Sequence, residues 1–106
     1  MDIGVLEQQV MLAIMALDPN AYGVSIADHI KERAGYEPSP GSVYAALERL
    51  QDKGYVKSRV GESTAERGGR RKFYFNVTAS GQQTLRRSLD AITSLRRGIQ
   101  WTEAIA

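Results

Sequence analysis

At residue 55 the spacing of the apolar side chains changes from helical to alternating, and that switch excludes most folds open to a chain of this size. Before it, three stretches repeat apolar residues every three to four positions. After it, "YVKSRV" (55–60) alternates apolar and polar residues as a half-buried strand does. "KFYFNV" (72–77) is a second β-prone run, rich in aromatics. Between them "GESTAERGGRR" (61–71) has the composition of a loop, with three glycines among charged and polar residues. Two strands around one flexible loop predict a hairpin. The loop is too long for a two-residue turn and is therefore expected to protrude. Phe73 and Phe75 are expected to face the helices, with Tyr74 outward.

The first helix is predicted from about Ile3 to Leu17, with Leu6, Val10, Ala13, Ile14 and Leu17 on one face. "DPN" at 18–20 ends it, because proline cannot continue the hydrogen-bond ladder. A second helix starts near Gly23 and reaches Arg33 or Ala34, with Ile26 and Ile30 inward and Gly35 as its stop. The third has the clearest punctuation: Ser39 as N-cap, Pro40 at the first helical position, Val43, Leu47 and Leu50 as its apolar stripe, and Gly54 at its end. Thr78 caps a last helix whose apolar residues are Leu85, Leu89, Ile92, Leu95 and Ile99. The expected fold class is mainly α with a small β-hairpin, a winged helix-turn-helix in the order α-α-α-β-β-α. Residues 1–77 are expected to form the winged helix-turn-helix DNA-binding domain and residues 78–106 a C-terminal dimerisation helix and tail. The core available to so short a chain is modest, so an apolar seam on the terminal helix (Leu85, Leu89, Ile92, Leu95) is expected to meet a second subunit. Folding back on its own domain is the other way to cover it.

Charge is distributed unevenly. Between Lys57 and Lys72 six cationic side chains stand against Glu62 and Glu66, a local +4 in a chain whose total is only +2. The rest is mildly acidic. A basic segment of this kind fits an anionic partner, although a charge run in a loop can also be simply solvated. The chain has no cysteine, which excludes disulfides, thiolate metal sites and cysteine nucleophiles. Its one histidine, His29, has only Asp28 and Glu32 as close acids, so neither a metal site nor a catalytic dyad is expected. No cofactor and no enzyme activity are expected. The acidic start "MDIGVLEQQV" lacks the basic region of a signal peptide, and no apolar run is long enough for a membrane span, so a cytoplasmic location away from the membrane is expected.

In a winged helix the third helix and the wing are the surfaces offered to double-stranded DNA. The start of the third helix carries small residues, Ser39, Gly41, Ser42 and Ala45, that permit close approach to a groove. Tyr44 can donate its hydroxyl to a phosphate or pack at the rim of the core, and Ser42 can serve contact or helix start alone. Arg49 lies on the flank of the same helix. Arg67, Arg70, Arg71 and Lys72 of the wing are expected to neutralise phosphates. A winged helix that docks on a protein, without sequence-specific DNA binding, is the alternative reading.

Three segments, "LEQQVMLAIMALDPNAYGVSIADHI", "SPGSVYAALERLQDKGYV" and "GGRRKFYFNVTASGQQTL", resemble the PadR family of bacterial transcriptional regulators over roughly residues 5–90. The matching marks are Tyr22-Gly23, the Pro40-Gly41-Ser42-Val43-Tyr44 run, Leu47 with Leu50 and Gly54, Arg70-Arg71-Lys72-Phe73-Tyr74, and Thr78 with Gly81. The resemblance implies a dimeric winged helix that represses promoters by binding inverted repeats. The short length is similar to the subgroup with a single dimerising C-terminal helix. A small-molecule effector of unknown identity is a further partner that it implies.

Overall fold

The chain folds as α1 (Val5–Leu17), α2 (Gly23–Ala34), α3 (Pro40–Asp52), β1 (Val56–Val60), β2 (Phe73–Val77) and α4 (Ala79–Arg96), in a computed structural model that describes residues 3–61 and 72–102. Helix punctuation follows the sequence closely. Ser39 Oγ accepts from the Ser42 amide at 3.1 Å, and Pro40 takes the first helical position, where its missing N–H costs nothing. Thr78 Oγ1 caps α4 in the same way, accepting from Gly81 N at 3.1 Å. Gly35 and Gly54, with φ of 80° and 78°, supply the left-handed residues that close α2 and α3.

The core lies where α1, α2 and α3 meet. Val10, Met11, Ile14, Ile26, Val43, Leu47 and Leu50 are fully buried there, each worth about 1.5–3 kcal/mol. The antiparallel hairpin pairs Val56 with Val77 and Val60 with Phe73, and it adds Val56 and Phe75 to the core. It is anchored beside the helices by the Phe75 amide, which donates to Ala21 O at 2.9 Å. Phe73 departs from expectation. It shares the inward face of β2 with Phe75 but is 55% exposed, lining an open groove beside the start of α2 rather than the core. Two boundaries also differ. α1 starts at Val5, leaving Ile3 buried in the core as a lead-in residue, and α4 stops at Arg96, before Gly98 turns the chain with a φ of 81°.

Glu7, on the inner side of α1, is only 4% exposed. Its Oε1 accepts from the Gly4 amide at 2.6 Å, closing the helix start, and its Oε2 accepts from Arg49 Nε at 3.1 Å and Lys53 Nζ at 3.2 Å. Burial pushes its carboxyl up, but the Gly4 amide, Arg49 and Lys53 together outweigh burial and hold it below the ordinary carboxylate range. A carboxyl lowered by folding contributes stability that is complete above its unfolded value and drains away as pH falls through the folded one. Glu7→Gln is therefore expected to lower stability at pH 7 by about 1–3 kcal/mol. In thermal melts from pH 7 to pH 3 the gap between wild type and variant should close on the acid side.

Only the start of α4 touches this body. Gly81, Leu85 and Ser88 are buried and Leu89 is half-buried, whereas every residue from Asp90 to Arg96 is exposed. The projecting helix gives the molecule a long dimension of 54 Å against 20 Å across its thinnest.

Candidate nucleic-acid interface

The capping chemistry that starts α3 also shapes its outer surface. Ser39, Gly41, Ser42, Tyr44, Ala45 and Arg49 are all exposed, opposite the buried stripe of Val43, Ala46, Leu47 and Leu50. Ser39 and Ser42 are joined hydroxyl to hydroxyl at 2.8 Å, so both contribute to the helix start while remaining at the surface. Arg49 is divided: its Nε is held by Glu7, while its side chain is 54% exposed.

Tyr44 is not a core residue. It is 55% exposed and its ring crosses the first turn of α2 at Gly23. A Cβ built on Gly23 would lie 2.4 Å from Tyr44 Oη, so glycine at 23 is what lets the ring sit there. The tyrosine of α3 is thereby placed beside the root of the hairpin.

At that root two cations lie on two aromatic rings. Lys72 Nζ is 4.0 Å from the centroid of Tyr22, and Arg59 Cζ is 4.8 Å from that of Tyr74. The two rings meet edge to face, with centroids 5.8 Å apart and an interplanar angle of 78°. Arg59 Nη2 also donates to Pro19 O at 2.9 Å, tying β1 to the turn between α1 and α2. A shallow groove between α3 and the hairpin is lined by Tyr22, Gly23, Val24, Tyr44, Lys72 and Phe73, among others. The structure thus brings together Tyr44 and Lys72, which lie on separate elements 28 positions apart in the sequence. Arg67, Arg70 and Arg71, and the protruding loop expected around them, lie outside the described residues.

Sequence reasoning did not select Tyr22 and Arg59 as site residues. Tyr22 stands next to Gly23, and a glycine beside an aromatic at a helix start is the only local hint of the ring packing. Of the expected dimer seam, Leu85 is taken up by the chain's own core, at 3% exposure, and Leu89 is half-buried against it. Ile92 and Leu95 are open, at 50% and 77% exposure. Among the described residues no cluster of histidine or carboxylate side chains could hold a metal, and no helix is long and apolar enough to cross a membrane.

No curated protein matches the chain in sequence. Among solved structures, a PadR-like transcription factor from Bacteroides fragilis is 28% identical, with 88% of this chain and 84% of that one covered at a TM-score of 0.73. A PadR-family transcription regulator from Clostridium difficile is 25% identical over 88% of this chain and 95% of that one, with a TM-score of 0.71. PadR of Bacillus subtilis, solved in complex with operator DNA, shares the fold at 22% identity and a TM-score of 0.64, over 94% of this chain and 53% of that one. The profile of the PadR-like transcriptional regulators matches residues 11–87. With most of its length matched and its winged helix in place, the chain belongs to the PadR-like family of transcriptional regulators.

Proposed function

We propose that the protein is a homodimeric transcriptional repressor of the cytoplasm that binds an inverted-repeat operator through α3 and the basic wing, residues 61–72. The observation that carries this reading is the juxtaposition at the hairpin root. The exposed, small-residue start of α3 can approach a groove, and Lys72 stands beside it at the end of a cationic segment. Ser39, Gly41, Ser42 and Ala45 set the approach distance. Tyr44 has its hydroxyl free of the core to meet a phosphate. Arg67, Arg70, Arg71 and Lys72 neutralise the backbone and release counterions. Arg49, held on one side by Glu7, presents the rest of its guanidinium to the rim. The solved complex of Bacillus subtilis PadR with operator DNA supports the reading by likeness of fold. Glu48 and Asp52 limit groove entry to the first two turns of α3.

A second copy of the chain would cover the apolar residues that α4 leaves open, Ile92 and Leu95, extended by half-buried Leu89. Val5, Leu12 and Met15 of α1 are also exposed and offer the matching surface. A two-fold dimer of this kind places two α3 helices on one side, about one turn of DNA apart, which matches an inverted repeat.

The test is Ala45→Glu. Ala45 is exposed and the exchange changes helix propensity by only a few tenths of a kcal/mol, so the fold should persist. A carboxylate facing phosphates should weaken binding to a promoter fragment by an order of magnitude or more, about 1.4 kcal/mol per factor of ten. Anisotropy titrations, with circular dichroism as the control for folding, check this. Full affinity in a folded variant would mean that α3 does not enter the groove.

A further inference from the structure

Two glycines each lie under a tyrosine ring on the face that carries the hairpin root. Gly23 lies beneath Tyr44, and a Cβ on Gly61 would fall 2.3 Å from Tyr74 Cε2. Between the two sits Tyr22, at the N-cap position of α2, in edge-to-face contact with Tyr74 and beneath the ammonium of Lys72. The result is a continuous path from α3 through Tyr44, the start of α2 and Tyr22 to Tyr74 at the point where β1 leads into the wing. The Gly61 amide closes this end of the hairpin on Lys72 O at 2.7 Å.

We infer that Tyr22 and Tyr74 are positioning residues, a bracket that holds Lys72 and the root of the wing in register with α3 so that both reach one DNA backbone together. The physical reason is placement as well as entropy: without the ring beneath it the ammonium turns to solvent and no longer meets the phosphate. A free lysine side chain loses most of its rotamer freedom when it is fixed on a phosphate. Lys72 is half-buried and already stacked on Tyr22, so part of that ordering is complete before DNA arrives. The tyrosine hydroxyls are not needed for this; the ring faces are. The inference rests on the reading that α3 and the wing meet DNA.

The experiment measures binding to a promoter fragment at a series of salt concentrations for wild type, Tyr22→Leu, Tyr22→Phe, Lys72→Gln and the Tyr22→Leu/Lys72→Gln double variant. Lys72→Gln should flatten the dependence of log K on log salt by about one unit, the signature of one phosphate left without its cation. Tyr22→Leu should reproduce most of that flattening and a several-fold loss of affinity, Tyr22→Phe should match wild type, and the double variant should be no worse than Lys72→Gln. A purely structural role for Tyr22 would lower the folded fraction without altering the slope. Independent losses that add in the double variant, or an unchanged slope in Tyr22→Leu, would overturn the bracket. Proton NMR gives a second readout that needs no variant to fold. The Lys72 methylene protons next to the ammonium should be shifted upfield by the Tyr22 ring current in wild type and in Tyr22→Phe, and unshifted resonances would equally overturn it. If wild type binds no DNA at any salt, the DNA reading fails, and the ring-current shift still decides the bracket.

Discussion

Leu95→Arg is expected to leave each subunit folded and to convert the protein to a monomer. Leu95 is the most exposed large hydrophobic residue of α4 and is no part of the chain's own core. Surface exchanges of this kind normally move stability by less than about 0.5 kcal/mol. In a two-fold dimer the same exchange places two guanidinium groups in one apolar contact, at a cost of several kcal/mol. Leu95 is a cleaner choice than Leu89, whose side chain also packs on the subunit core. Losing the second recognition helix removes bivalent binding, so operator affinity should fall by about 10²-fold or more. Sedimentation at micromolar concentration reads the first effect and anisotropy the second. A wild-type chain that sediments as a monomer, and still binds a palindromic site as a single copy, would defeat the dimer.

Gly81→Ala is expected to be the most damaging glycine-to-alanine change among the described residues. Gly81 lies in the first turn of α4, pressed against Tyr55 and Val77 at the open end of the hairpin. A Cβ there would stand 2.3 Å from Tyr55 O and 2.9 Å from Val77 Cγ1. The obstacle is backbone, and it cannot swing aside. Tyr55 O already accepts from the Thr78 amide at 2.9 Å, and Thr78 Oγ1 donates to Gly54 O at 2.8 Å, so moving the carbonyl strains the cap of α4 as well. Overpacking at such a site costs about 1–3 kcal/mol or more. For a chain of this size about 4–8 °C in Tm corresponds to each kcal/mol. Alanine is a better helix former than glycine, so a rise in Tm would show that this contact is loose. The contrast with Gly23 is instructive. There the obstacle is Tyr44, an exposed side chain free to move, so Gly23→Ala should alter the interface more than the stability.

The fold was legible where the chemistry is local. Ser39, Pro40 and Gly54 mark the two ends of α3 by themselves, and the change of period at 55 announces the hairpin without any tertiary information. The interface was legible in part, because a small-residue helix start and a cationic loop are both sequence features. What was hidden depends on distance. Glu7 gave no sign of burial, since its partners Arg49 and Lys53 lie 42 and 46 positions away. Phe73 has the right parity to face the core, yet alternation does not reveal that it lines an open groove instead. Tyr22 became a site residue only when β2 brought Lys72 and Tyr74 to it. In the same way, Leu85 and Leu95 share a periodicity but not an environment, because the body of the fold ends between them.

In the proposed function α3 and the wing bind DNA through its backbone charge. The most direct measurement is a salt titration of binding to the DNA upstream of the protein's own coding sequence, for wild type and for the Arg70→Ala/Arg71→Ala double variant. Wild type should bind with a steep dependence of log K on log salt. The double variant should be weaker on specific and non-specific DNA alike, with the slope flattened by about one unit for each phosphate that no longer meets an arginine. A wild-type protein that fails to bind at low salt would contradict the account, and so would a double variant whose slope is unchanged.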